Sequence, residues 1–186
     1  MAKVTGDFSK GSVPKTIFRL SVPIMLAEIV HITYNIVDRL YIGRIPEVGT
    51  AALTGVGVAF PLISLLTAFA NLFGTGGAPL ASIARGEGDN EKARRIQETS
   101  FTMMLLVGAV LTAVMYAYSP QLLGMMGGDE ETLPYALDYF RIYVLGTIPV
   151  LISLGMNPFI NGQGFTRTGM MTVLIGAALN IVLDPV

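Results

Sequence analysis

The sequence predicts an all-α membrane protein, a bundle of about five transmembrane helices. Hydrophobic residues make up 52% of the 186 residues and charged residues only 13%, about half the charged share of an average soluble domain. The mean hydropathy is +0.62. Apolar stretches of roughly 20 residues or more, the length that spans a bilayer, alternate with short stretches rich in Gly, Pro and charge. Short connections imply antiparallel neighbours in one compact bundle.

The first three predicted spans are separated by two charged turn regions. The first span, 17–41, continues past Asn35 without the small-residue cleavage site of a signal peptide, so we expect it to be retained. The second span, 51–80, follows the turn-rich "IGRIPEVGT", and "ARGEGDNEKARR" separates it from the third, 101–123. The third is the clearest, because no acidic or basic side chain lies between Glu98 and Asp129.

The last two predicted spans occupy the C-terminal part of the chain. The fourth, 135–160, follows "MMGGDEETLP", and the fifth, 170–186, follows "INGQGFTRTG". No low-complexity tract or long linker interrupts the series. We therefore expect residues 1–186 to form a single membrane-embedded unit.

The distribution of basic residues predicts a cytoplasmic N-terminus. Basic residues concentrate in the leader, the second loop and the fourth loop, and the third loop is acidic. By the positive-inside rule the basic loops are cytoplasmic. We expect an integral protein of a bacterial or archaeal plasma membrane. The basic residues on the cytoplasmic side are Lys3, Lys10, Lys15, Arg19, Arg85, Lys92, Arg94, Arg95 and Arg167.

Composition also excludes several classes of site. The chain has no cysteine, so it has no disulfide framework, thiolate zinc site or cysteine nucleophile. A net charge of −1 gives no field that would attract nucleic acid. We expect neither a cofactor nor an enzymatic activity.

A stripe of polar residues on the first span is the first candidate functional feature. Glu28, His31, Asn35 and Asp38 fall within an arc of about 80° on a helix of about 100° per residue. A charge at the bilayer centre costs about 2.5–3.5 kcal/mol on insertion scales, so such residues usually face a protein interior or a water-filled cavity. Glu28, His31 and Asn35 are candidate cavity-lining residues. Asp38 is a candidate cation ligand, although it could instead pair with a nearby arginine at the headgroups.

The fifth span supplies a second pair of oxygen ligands. Asn180 and Asp184 lie four residues apart, hence on one helical face. Pro185 has no N–H, which frees the carbonyl of Ile181. Together with Asp38 they suit a proton or a hard cation such as Na⁺. Asn180 could alternatively serve only to join helices.

Three further features of the apolar spans attract attention. Asn71 in the second span and Asn157 in the fourth belong to polar rows at helical spacing, and they are candidate cavity-lining residues. Interhelical hydrogen bonding would explain them equally well. The "GTGG" of residues 74–77 predicts close helix packing, since no strand precedes it to form a phosphate loop.

Four motifs in order resemble the N-terminal half of a multidrug and toxic compound extrusion (MATE) transporter. They are "PIMLAEIVHITYNIVDRLYIGRI", "GTAALTGVGVAFPL", "ARGEGDNEKA" and "LNIVLDP". The resemblance covers essentially the whole chain. It implies most of the N-terminal six-helix lobe of a twelve-helix protein that exports organic cations or amphipathic drugs in exchange for H⁺ or Na⁺. By position it assigns Asp38, Asn180 and Asp184 to the cation site.

Against that family pattern the sixth helix and the C-terminal lobe are absent from the sequence. We expect the chain to be a fragment that works with the rest of the protein and does not transport alone. A lipid-linked oligosaccharide flippase of similar architecture is the nearest alternative, but its anionic cargo would favour a basic interior. An intramembrane aspartyl protease is the more distant one: "GEGD" at 86–89 matches G-x-G-D, yet Asp89 stands among charged residues. A helical scaffold would leave the buried acids unexplained.

Overall fold

The structure, a computed structural model, describes the backbone of residues 12–183 and the side chains of residues 12–179. All regular structure in this described part is helical. The helices are α1 (Val13–Gly43), α2 (Gly49–Gly86), α3 (Asn90–Ala117), α4 (Ser119–Met125), α5 (Leu133–Leu145), α6 (Thr147–Gly162) and α7 (Thr166–Leu183). The predicted all-α class is confirmed.

Three of the helices, α1, α2 and α3, are long and apolar enough to cross a membrane. The α5–α6 pair gives a fourth candidate span if its two bent halves are counted together. Helix α7 covers most of the predicted fifth span. Turns separate the helices where Gly, Pro and charge cluster in the sequence, as at residues 44–48 and 87–89.

Two predicted spans are each divided into two helices. The third, 101–123, is broken at Tyr118, whose N–H still donates to the carbonyl of Val114 before α4 begins with Pro120 in its first turn. The fourth, 135–160, bends by 59° between α5 and α6. Pro149 lies in the first turn of α6 and has no N–H to donate back across the bend. Both breaks occur inside continuous apolar sequence.

The turn between α2 and α3 is closed by its own side chains. Gly88 adopts a φ of 84°, a conformation that glycine tolerates without a steric cost. Asp89 then accepts a hydrogen bond from the N–H of Lys92 at 2.9 Å, which caps the start of α3. The two long helices are thereby held as an antiparallel hairpin.

Residues 42–158 form one compact unit with a continuous apolar core. The core lies where α2, α4 and α5 meet, and its fully buried members include Leu66, Leu123 and Phe140. A second contact region joins α2 to α6 through glycines. A Cβ atom added to Gly74 would lie 2.5 Å from the carbonyl oxygen of Gly155, so the two backbones touch without side chains between them.

The second compact unit contains the described residues up to 41 and those from 159 onward, hence most of α1 and all of α7. In α1, Ala27 is buried, whereas most other side chains are half-buried or exposed. Pro23 lies inside the helix without ending it. This unit contains Asp38 and the backbone of Asn180, two of the three residues of the predicted cation site.

Candidate functional site

The polar stripe predicted on the first span lies along α1. Glu28 and His31 approach each other, with 3.9 Å between Oε1 and Nδ1. Their side chains are 69% and 42% exposed within the chain. The ring of His31 also meets the ring of Tyr34 edge to face, at 5.1 Å between centroids. Both side chains are therefore available to a ligand on one side of the helix.

Asn35 and Asp38 extend the stripe toward the C-terminal end of α1. The side-chain amide of Asn35 donates to the carbonyl of His31 at 2.8 Å. This bond fixes the amide against its own helix and turns its carbonyl oxygen away from that contact. Asp38 is half-buried. Acidic, imidazole and amide groups thus follow one another along one face of α1.

An apolar stripe runs along another face of the same helix. Its members recur at helical spacing and are all more than half exposed within the chain: Met25, Ile29, Ile32, Ile36 and Leu40. Polar and apolar stripes are therefore both open. In a bilayer these stripes require different surroundings, because hydrocarbon accepts the apolar one and penalises the charged one.

The second half of the predicted site comes from the last residues of the sequence. Asn180 belongs to α7, which shares its compact unit with most of α1, but its side chain is outside the described part. Asp184 lies outside the described residues altogether. The joint site of Asp38, Asn180 and Asp184 therefore stays a prediction. Within residues 12–179, no group of three or more His, Asp or Glu side chains is placed to hold a metal ion.

The two asparagines predicted to line a cavity lie on different helices. Asn71 is exposed on α2, and Asn157 is half-buried on α6. A cavity shared by them is not seen among the described pockets, so their role stays a prediction. Helical spacing alone gave no means to distinguish cavity lining from hydrogen bonding between helices.

Asp89, the aspartate of the "GEGD" match, has a structural role. It is the N-cap of α3, in the turn between two long helices. Its carboxylate accepts the N–H of Lys92, and the residues around it form exposed ion pairs, such as Arg95 with Glu91 at 3.1 Å. The G-x-G-D match is thus explained by helix capping.

A groove between α2 and α3 was not predicted from the sequence. Its volume is about 380 Å³, and its lining is apolar except for two basic and two hydroxyl side chains, all on α3. Gly76 and Gly77 leave the space that forms it, and Lys92 and Arg95 stand at one end. The available signal was a pair of glycines on α2, followed in the sequence by the basic residues Lys92 and Arg95 in the first two turns of α3.

Comparison with known proteins gives consistent matches over nearly the whole chain. The sequence model of the MatE family matches residues 23–186. Multidrug export protein MepA of Staphylococcus haemolyticus is 26% identical over 96% of this chain and 39% of its own length. The probable multidrug resistance protein YoeA of Bacillus subtilis is 27% identical over 98% of this chain and 39% of its own length.

Solved structures show the same helical arrangement. A crystal structure of MATE in complex with MaD5 matches with a TM-score of 0.87 and 28% identity over 100% of this chain and 41% of that one. A transporter of the MOP superfamily from Pyrococcus furiosus, described as having a binding pocket of reversed polarity, matches with a TM-score of 0.85 and 29% identity over 94% of this chain. The chain spans about 39% of the length of the curated relatives.

Proposed function

This chain belongs to the MATE family, and from that premise we propose that it forms one lobe of a cation-coupled exporter of organic cations or amphipathic drugs. Family membership carries the proposal, since one matched relative is named a multidrug export protein and another a probable multidrug resistance protein. A second six-helix lobe would complete the transporter. The N-terminus would lie in the cytoplasm. The family consists of transporters, so we assign no catalytic residue.

An acid on α1, Asp38, supports coupling to a cation. In the proposed site Asp38 and Asp184 would lie close together, and two such carboxylates in a low dielectric cannot both remain ionised without a large energetic cost, so one would bind a proton or both would share a cation. Asp38, Asn180 and Asp184 would form this site. Its support is that Asp38 on α1 and Asn180 on α7 belong to one compact unit, and that Asp184 follows Asn180 by four residues in the sequence. Carboxylate and amide oxygens suit Na⁺ as well as H⁺.

Transport would follow from the neutralisation of that site. Entry of H⁺ or Na⁺ removes the negative charge that holds a cationic drug, and the two lobes then rock to expose the cavity to the other side. The same charge also selects the cargo. Because the polar stripe of α1 carries Glu28 and Asp38 and neither Lys nor Arg, it favours cationic compounds over the anionic cargo of a lipid-linked oligosaccharide flippase.

Efflux by the complete two-lobe transporter tests this function. Vesicles containing the protein with Asp38→Asn or Asp184→Asn should lose pH- or sodium-driven ethidium efflux by at least tenfold. Asp38→Glu should retain part of it, because the carboxylate persists. Glu98→Gln is a matched control, since Glu98 is an exposed acid near the start of α3. Separate pH and sodium gradients distinguish the two coupling ions.

Normal gradient-driven efflux in both asparagine variants would contradict the proposed site. Loss of efflux in Glu98→Gln as well would show that the assay reports folding or net charge. Vesicles containing only these 186 residues should show no coupled efflux. Coupled efflux from them would contradict the requirement for a second lobe.

Cysteine labelling tests whether the polar stripe lines a water-filled cavity. The chain contains no cysteine, so a single introduced thiol is the only labelling site. Glu28→Cys and His31→Cys should react with a charged maleimide at least ten times faster than Ile29→Cys and Ile32→Cys, because the reactive thiolate requires water. The isoleucines are matched controls, with exposed fractions of 57% and 52% within the chain. Equal rates on both stripes would exclude a cavity along this face.

A further inference from the structure

We propose that the groove between α2 and α3 binds one anionic phospholipid, with its phosphate at Lys92 and Arg95. The groove is lined on α2 by Leu72, Phe73, Gly76, Gly77 and Leu80, and on α3 by Lys92, Arg95, Ile96, Thr99 and Ser100. The proposal concerns a surface within one compact unit and is independent of the transport activity. It assigns a ligand to a site that the transport mechanism does not use.

The polarity of the groove changes along its length as that of a phospholipid does. Because α2 and α3 run antiparallel, the basic residues lie next to the α2–α3 turn, and Leu72 and Phe73 lie farthest from it. From Leu80 to Leu72 the helix rises about 12 Å. The hydroxyls of Thr99 and Ser100 lie on α3 farther from the turn than the basic pair. A headgroup at the turn would therefore direct an acyl chain toward the apolar end.

Gly76 makes room for that acyl chain. A Cβ atom added to Gly76 would meet no other atom within 4 Å, so α2 presents open space there. Leu72 and Leu80 are 62% and 57% exposed. In a membrane these side chains contact hydrocarbon, so the groove is open laterally to lipid. A small soluble anion would leave this apolar part of the groove unfilled, and for this reason we assign a lipid.

Charge complementarity identifies the headgroup as anionic. Lys92 and Arg95 line the groove, whereas their ion-pair partners Glu87 and Glu91 do not. The pairs measure 3.8 Å for Lys92 with Glu87 and 3.1 Å for Arg95 with Glu91. Exposed pairs of this kind are weak. A phosphate in the groove can therefore share both cations without replacing a strong interaction.

Native mass spectrometry of the purified protein in detergent tests the proposal. The probes are phosphatidylglycerol and phosphatidylcholine with identical acyl chains. The wild-type protein should bind the first phosphatidylglycerol more tightly than phosphatidylcholine. Lys92→Gln and Arg95→Gln should each weaken phosphatidylglycerol binding about fivefold, the usual effect of one interfacial basic residue. Glu91→Gln should strengthen it, because it frees Arg95 from its carboxylate partner.

Two matched controls distinguish lipid binding in the groove from a non-specific effect of surface charge or of altered helix packing. Arg94→Gln removes one neighbouring basic residue that does not line the groove and should leave binding unchanged. Gly76→Leu should fill the groove and reduce lipid binding at least fivefold with every charge intact. Gly57→Leu is its control, since Gly57 lies on the same helix and a Cβ there also meets nothing within 4 Å. It should bind lipid as the wild type does.

The possible results separate the alternatives. Equal weakening by Arg94→Gln and Arg95→Gln would overturn the proposal in favour of non-specific surface charge. Equal binding of the two lipids would overturn the assignment of an anionic headgroup. Two results together would show a soluble-anion site instead: excess inorganic phosphate would abolish phosphatidylglycerol binding, and Gly76→Leu would bind this lipid normally. The strengthening expected in Glu91→Gln cannot arise from misfolding, so its absence would also count against the proposal.

Discussion

The contact between Gly74 of α2 and Gly155 of α6 gives the sharpest prediction about folding. A Cβ added to Gly74 would lie 2.5 Å from the carbonyl oxygen of Gly155 and 2.8 Å from its Cα. An ordinary contact is about 3.5–4.0 Å, so Gly74→Ala must move the two helices apart by about 1 Å. Both atoms that it meets are backbone atoms, and no change of rotamer can relieve the clash.

The expected cost follows from that rigidity. Overpacking a well-packed core usually costs about 1–3 kcal/mol, and we expect Gly74→Ala to fall at about 2–3 kcal/mol. Gly155→Ala should cost less, because its new Cβ overlaps chiefly the Sδ atom of Met104, and methionine is flexible. Gly76→Ala is the control: its Cβ enters open space, so the change should remain within about 0.5 kcal/mol.

A single-cysteine reporter can measure these costs. Ser100 is 8% exposed, so Ser100→Cys places a nearly isosteric thiol that reacts with maleimide mainly after unfolding. The labelled fraction in an SDS titration gives an apparent unfolding midpoint for each variant on this background. Gly74→Ala should shift the midpoint to lower SDS, and Gly76→Ala should leave it in place.

A double-mutant cycle extends the test to the third helix at this contact. Met104→Ala alone should cost about 2–5 kcal/mol as a buried truncation, because Met104 is fully buried in α3. Combined with Gly155→Ala, it removes the overlapping atom, so the double variant should be more stable than the sum of the single effects by about 0.5–3 kcal/mol. Equal midpoints for Gly74→Ala and Gly76→Ala would refute the reasoning, since α2 and α6 would then not meet at Gly74.

Three other predictions concern the turns and a second close contact. Asp89→Ala should cost about 1 kcal/mol by leaving the N–H of Lys92 uncapped, whereas Asp89→Asn should restore most of the stability, both measured as SDS midpoints. Hydrogen bonds from the hydroxyl and the N–H of Thr132 lower the pKa of Asp129. The lowered pKa stabilises the fold above the ordinary Asp range, and this contribution disappears as the pH falls through the folded-state pKa. An acid titration of the melting temperature should therefore show a smaller decline in Asp129→Asn than in the wild type, and parallel curves would contradict the assignment. Gly55→Ala should destabilise the α2–α5 contact by about 1–3 kcal/mol, because its Cβ would lie 3.1 Å from the backbone oxygen of Thr132; an unchanged midpoint would contradict that contact.

The helices were predictable from sequence because hydropathy and turn residues are local signals. The first span was predicted over 17–41, and α1 runs from Val13 to Gly43. The bends were not predictable, because apolar composition is the same on both sides of Tyr118 and of Gly146. A hydropathy profile records how apolar a segment is and contains no information about its direction. Pro120 and Pro149 were visible in the sequence, but Pro23 lies within a continuous helix, so proline alone does not locate a break.

The candidate site, like the helices, was predictable only where its signal in the sequence is local. Helical periodicity places Glu28, His31, Asn35 and Asp38 on one face of α1, whatever the rest of the chain does. The residues that complete the site come from distant segments of the chain. No local sequence pattern determines which distant segments contact each other. The hydrogen bond from Asn35 to the carbonyl of His31 illustrates the limit. The sequence showed a polar residue at the right spacing, and the structure shows that its amide nitrogen binds its own helix.

The "GTGG" of residues 74–77 shows why residue type alone cannot separate packing from ligand binding. The prediction of close helix packing is confirmed at Gly74 and wrong at Gly76, which faces open space. The two glycines are two positions apart, about 200° around the helix, and therefore face different surroundings. One lets α2 touch the backbone of α6, and the other opens the groove beside α3. The absence of a side chain at Gly74 thus allows a close helix contact, whereas at Gly76 it leaves space for the proposed lipid. Only the identity of the neighbouring helix distinguishes the two roles.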